Sequence, residues 1–152
     1  MSWIADAVAY GPDGQLTLIV EAKSKTKTSR SWAKHMRRNL LSHGVVPKSR
    51  FLLLALPDRL YLWKDVNNAP DLIDPTYEID AAPLFEPYFA MAQISPDQLT
   101  PQSFELIVNA WLNELIHSGI PENVPPEARQ ALLDSGLLGA IKGGSVAVEV
   151  SV

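Results

Sequence analysis

Three residues near the start of the chain have the types and spacing for phosphate chemistry. Asp6 interrupts an otherwise apolar stretch, and Glu21 and Lys23 flank Ala22 at the end of a second one. A carboxylate inside an apolar strand needs a reason, because burying a charge is costly unless it is paired or put to work. Two carboxylates and an ammonium at one strand end suit a hard divalent cation. Mg²⁺ fits best, since it takes oxygen ligands, retains several waters and needs only one or two carboxylates. Lys23 would then orient an attacking water or stabilise charge on a phosphate. The competing account is an exposed strand-end ion pair of Glu21 with Lys23, contributing about 0–1 kcal/mol. Downstream, Lys25, Lys27, Arg30, Lys34, Arg37 and Arg38 form a basic run able to contact a phosphate backbone, with none assignable to base reading.

The elements that must position these residues can be read from pattern. Trp3 to Tyr10 and Leu16 to Lys23 read as strands separated by Gly11-Pro-Asp-Gly14, a strong turn signal, and so form a hairpin. In the second strand Leu16, Leu18, Val20 and Ala22 share one face, and Thr17, Ile19, Glu21 and Lys23 the other. A four-residue turn would pair Asp6 directly with Glu21. A three-residue turn would put Asp6 on the opposite face unless a bulge corrects it. A helix is predicted from about Ser31 to Ser42, with Trp32, Met36 and Leu40 on its apolar side and its bases on another. The apolar run Phe51 to Leu56 reads as a strand buried on both faces, and Leu60 to Lys64 as a further strand.

This set resembles the PD-(D/E)XK phosphodiesterase superfamily, the restriction-endonuclease-like nucleases. The resemblance rests on Asp6 in Ile4-Ala5-Asp6, on Glu21-x-Lys23 closing the strand from Leu18, and on the helix and two strands that follow. It covers residues 3 to 64. It implies that Asp6 and Glu21 bind Mg²⁺, helped by the backbone carbonyl of Ala22, and that Lys23 assists the nucleophilic water. The implied activity is Mg²⁺-dependent hydrolysis of phosphodiester bonds in nucleic acid, DNA ahead of RNA. The sequence departs from the family in having Ala5 where many members have proline. The helix that usually precedes the first strand, and sometimes supplies another acid, is not recognisable; an element from residues 65 to 152 would have to fill that place. The alternative is a catalytically inactive module of the same fold that binds nucleic acid or protein.

The second half reads differently. Residues 65 to 87 form a proline-rich, mostly irregular connection, followed by a short helical piece near Leu84 to Gln93 that Pro87 weakens. Thr100-Pro101 starts a long helix whose stripe from Phe104 to Ile116 is apolar, offering either a core face or a homo-oligomer interface. A helix from Pro126 to about Leu138 and a short final strand from Ser145 to Ser151, placed at an edge, complete the chain. The expected fold class is therefore α/β, a restriction-endonuclease-like core over 1–64 with an acidic, mostly helical extension over 65–152 packed on it as one compact unit.

Composition sets limits on other readings. The 152 residues are 47% hydrophobic with a net charge of −4, which argues for a folded chain of one domain. That net charge hides an asymmetry. Residues 1–64 hold eleven Lys and Arg against four acids, and residues 65–152 two against thirteen, so +7 faces −11. The acid excess could shield the basic face or dock a partner. The absence of cysteine removes disulfides, thiolate nucleophiles and cysteine zinc sites. His35, His43 and His117 have no neighbours at ligand spacing, and no phosphate-binding glycine loop occurs. Trp32, Tyr61 and Trp63 read as packing residues. With no apolar run long enough for a membrane span and no secretory leader pattern, the expectation is a soluble cytoplasmic protein.

Overall fold

A computed structural model describes residues 4–151, so Trp3 lies outside the described residues. The first strand, β1 (Ile4–Tyr10), and the second, β2 (Leu16–Ala22), form the expected hairpin. Its turn spans three residues, Pro12 to Gly14. The Gly11 N–H donates to Gln15 O at 2.9 Å, the Gly14 N–H donates to Gly11 O at 2.9 Å, and Gly14 takes φ +80°. Uncorrected, that turn would carry Asp6 to the wrong face. The register shifts at Thr17, however: Tyr10 stands opposite Leu16 but Ala9 opposite Leu18, and the pairing then runs to Ala7 opposite Val20. One bulged residue restores the alternation, so that Ala7 and Val20 share one face and Val8 and Ile19 the other, with Asp6 and Glu21 next beyond the last pair.

Helix α1 (Arg30–Leu41) follows. Ser29 caps it by accepting the Trp32 N–H at 3.1 Å. The crossover delivers β3 (Phe51–Ala55) parallel to β2, and β4 (Arg59–Lys64) returns antiparallel to β3. The connection expected to be irregular then contributes β5 (Tyr77–Asp80), four residues too short for periodicity to reveal. Helices α2 (Ala82–Ala92), α3 (Pro101–Ser118), α4 (Pro126–Asp134) and α5 (Leu137–Ile141) precede the last strand, β6 (Ser145–Ser151). Gly136, at φ +82°, breaks what pattern alone reads as one helix into α4 and α5. Pro87 lies inside α2 without ending it, and Phe85 of that helix packs edge-on against Phe104 and Trp111, both at 5.5 Å between ring centres.

The result is a mixed α/β fold around a six-stranded sheet in the order β5-β4-β3-β2-β1-β6. Only β2 and β3 pair in parallel among these neighbours. One face carries Ala7, Ala9, Leu18, Val20, Leu53 and Leu62 against α2 to α5. The other carries Val8, Ile19, Leu52, Leu54, Tyr61 and Trp63 against α1. The extension is therefore not a separate layer, since β5 and β6 edge the same sheet.

Two expectations are corrected by burial. The stripe of α3 from Phe104 to Ile116 is buried within the chain, so it is core and not an interface for a second copy. Arg37 is 1% exposed, not a surface phosphate contact. Its guanidinium lies 5.7 Å from the Trp63 ring centre and donates to the carbonyls of Asn67 at 2.7 Å, Asp71 at 2.9 Å and Ala69 at 3.3 Å. The irregular segment after β4 has no ladder to satisfy its carbonyls, and the planar five-donor head of Arg37 does so instead. Ala33, Arg37 and Leu41 thus form the buried line of α1, with Trp32, Met36 and Leu40 half-buried beside it.

Candidate metal and phosphate site

The residues singled out by sequence meet at one end of the sheet, where the parallel pair β2 and β3 terminates. The carboxyl ends of parallel strands are where open α/β sheets hold ligands. Asp6 does not enter the apolar core. Its Oδ2 accepts the Ala22 N–H at 2.8 Å, so the carboxylate sits between β1 and β2 just past their last paired positions, Ala7 and Val20. Lys23 leaves the strand immediately beyond, its own N–H held by Ala55 O at 3.0 Å.

Glu21 is 5% exposed, and its Oε1 is buried with no hydrogen-bond partner among the described residues. Its side chain lies on the α1 side of the sheet, beside Leu41, Leu52 and Leu54. Burial first, and then the neighbouring Asp6 charge, push the Glu21 carboxyl up to about 8; Lys23 works in the opposite direction. An unpaired buried carboxyl oxygen beside a second carboxylate is a group waiting for a cation or a proton.

Two further acids arrive from the C-terminal half. Glu105, in the first turns of α3, has its carboxyl raised by partial burial, by Asp6 and then by Glu149, while Lys23 lowers it. Glu149 occupies the place on β6 between the pairs Ala5–Val150 and Ala7–Val148, directly across from Asp6, and has φ +50°. Asp6 is thus the carboxylate the others share: Glu21 meets it from the α1 face, Glu105 from the α3 face and Glu149 along the sheet. Neither Glu105 nor Glu149 was selected by sequence. Each stands alone in its segment, and only the pairing of β6 with β1 and the packing of α3 on β2 and β6 bring them here.

The fit to a divalent cation rests on this donor set, hard oxygens in excess of positive charge with one oxygen unsatisfied. Among the described residues no three acidic or histidine side chains are already gathered around one metal-sized point. One or two carboxylates with water suffice for Mg²⁺, so a preformed protein cage is not required.

The basic residues divide. Arg30 Nη2 pairs with Glu78 at 2.9 Å, and Lys34 Nζ with Asp74 at 3.7 Å. Arg37 is consumed in the interior. Lys25 and Lys27 are exposed, Arg38 is half-buried on α1, and none of these three has an ion pair among the described residues. Acids of the segment following β4 therefore pair with two of the bases on the helix expected to bind phosphate. Among the described residues no helix is long and apolar enough to cross a membrane. Comparison with family models, curated proteins and solved structures finds no match to this chain.

Proposed function

We propose that this chain is a Mg²⁺-dependent nuclease with a restriction-endonuclease-like core. The observation that carries the reading is the convergence of Asp6, Glu21 and Lys23 at one strand end, with a buried Glu21 oxygen left unsatisfied. Asp6 and Glu21 would hold the ion, with the Ala22 carbonyl adjacent. Bound there, Mg²⁺ would neutralise phosphate charge and polarise the phosphorus–oxygen bond under attack. Lys23 lies near enough to lower the Glu21 and Glu105 carboxyls, and would orient the nucleophilic water or donate to a phosphate oxygen. Glu105 supplies the acid that the superfamily's preceding helix sometimes contributes. On this reading, α3 takes over from a helix that normally lies ahead of β1. Asp6 is held in place by the Ala22 N–H, so the nuclease geometry depends on the bulge at Thr17.

The test is cleavage of plasmid and oligonucleotide DNA with Mg²⁺, with RNA as the second substrate. Glu21→Ala and Lys23→Ala should each abolish cleavage, and robust activity surviving both changes would sink the mechanism. One observation favours a second reading, a binding module without catalysis: Lys25 and Lys27 are exposed and have no ion pair among the described residues, so they are available to a phosphate backbone whether or not a metal is held. Salt-dependent DNA binding, without cleavage and unchanged in Glu21→Ala, would select it.

A further inference from the structure

The cations left unpaired near the site are confined to one short stretch of chain. Lys23, Lys25 and Lys27 alternate along the segment that leaves β2, which contains no acid. None of the three has an ion pair among the described residues. The helix that follows offers no continuation, because Arg30 and Lys34 are paired with Glu78 and Asp74 and Arg37 is buried. Arg38 lies eight residues along α1 from Arg30, about 12 Å along its axis. On the other flank of Asp6 stand Glu105 and Glu149, which repel phosphate.

The Lys23–Lys27 segment is irregular but fixed. Lys23 N–H donates to Ala55 O at 3.0 Å, and Lys27 N–H donates to Asp58 Oδ2 at 3.0 Å. Lys27 has φ +56°, a left-handed conformation unfavourable for a lysine that the Asp58 bond holds in place. Thr28 Oγ1 and the buried Tyr61 hydroxyl share a hydrogen bond of 2.9 Å just beyond. Three cations are thereby carried on a stretch of backbone held at both ends, which begins where β2 ends beside Glu21.

We propose that the substrate is a single nucleic-acid strand laid along Lys23, Lys25 and Lys27, not an intact duplex. This rests on the nuclease reading above. One line of charge matches one backbone. A second strand would have to lie either over the acid-neutralised face of α1 or over Glu105 and Glu149.

The experiment is fluorescence anisotropy with a short single-stranded DNA and with the corresponding duplex. Binding is measured with Ca²⁺ in place of Mg²⁺ over a range of salt, and cleavage in parallel with Mg²⁺. Three phosphate contacts to a single strand give a slope of log affinity against log salt of about −2. Lys25→Ala with Lys27→Ala should reduce that slope to about −0.7, since one contact remains. Arg30→Ala with Lys34→Ala should leave it near −2, and thermal unfolding of both variants confirms that they fold. Duplex bound at least as tightly as single strand, with a slope nearer −5 that the Arg30 and Lys34 changes reduce, overturns the inference while leaving the nuclease reading intact. Failure to bind or cleave either substrate overturns both.

Discussion

Glu21 carries a structural cost and, in the proposed nuclease, a chemical use, and the two can be separated by pH. Its carboxyl is raised from 4.5 to about 8, chiefly by burial and next by Asp6. The folded chain therefore holds a proton there that the unfolded chain releases above pH 4.5. The sign follows from linkage: this group's contribution is fully present below pH 4.5 and is lost progressively as pH rises from 4.5 to about 8. At pH 7 the loss is on the order of 3 kcal/mol. Glutamine mimics the neutral carboxyl, so Glu21→Gln should be more stable than the parent protein at pH 7 to 8 and similar to it at pH 4.5. Urea unfolding at several pH values measures this, and the same pH slope in both proteins would refute it. A divalent cation needs the deprotonated carboxylate. Calorimetry in buffers of different ionisation heat should therefore show roughly one proton released per Mg²⁺ bound at pH 7, with affinity rising toward pH 8. Glu21→Gln should abolish that release.

At the scale of elements, side chains tie irregular chain to regular chain. Arg37 holds the segment 67 to 71 onto α1 through three carbonyls and lies over Trp63. Arg37→Ala should cost roughly 3 kcal/mol, since it removes three part-buried hydrogen bonds to backbone carbonyls and opens a cavity beside Leu41 and Leu52. Hydrogen exchange should localise the loss to the segment after β4 and to α1, leaving the β1–β2 hairpin protected; uniform loss of protection would count against this account. Arg37 also shows where pattern reading stops. As one base among nine between Lys23 and Arg50 it carries no mark of burial, because what buries it is an irregular segment some thirty residues away. The hairpin was half legible. Gly-Pro-Asp-Gly announces the turn, and period two puts Glu21 and Lys23 together, but whether Asp6 joins them depends on a bulge at Thr17 that no residue type announces. The capped start of α3, by contrast, was legible in full: Thr100 accepts the Ser103 N–H at 3.1 Å and Pro101 begins the helix.

Across the whole molecule, the +7 and −11 halves are joined in part by ion pairs between bases of the first and acids of the second, Arg30–Glu78, Lys34–Asp74 and Arg50–Asp65. Contact between the halves undoes any division at residue 64. The hydrophobic face carrying Leu18, Val20, Leu53 and Leu62 is covered by residues of α2 to α5, and β1 is bordered on its outer side by β6. A chain ending at residue 64 would expose that face and leave β1 and β4 as open edges, an arrangement prone to aggregation. The excised segment 1–64 should therefore lack a cooperative unfolding transition, although it contains Asp6, Glu21 and Lys23. Supplying 65–152 as a separate chain should restore cooperativity, because the two pieces share one sheet and one core. It should also restore the pH-dependent stability assigned to Glu21, whose burial depends on the assembled fold. Circular dichroism melts of each piece and of the mixture decide the matter. A cooperative melt of 1–64 alone would mean that the first half is an independent core and that Glu105 and Glu149 were added to a site already complete.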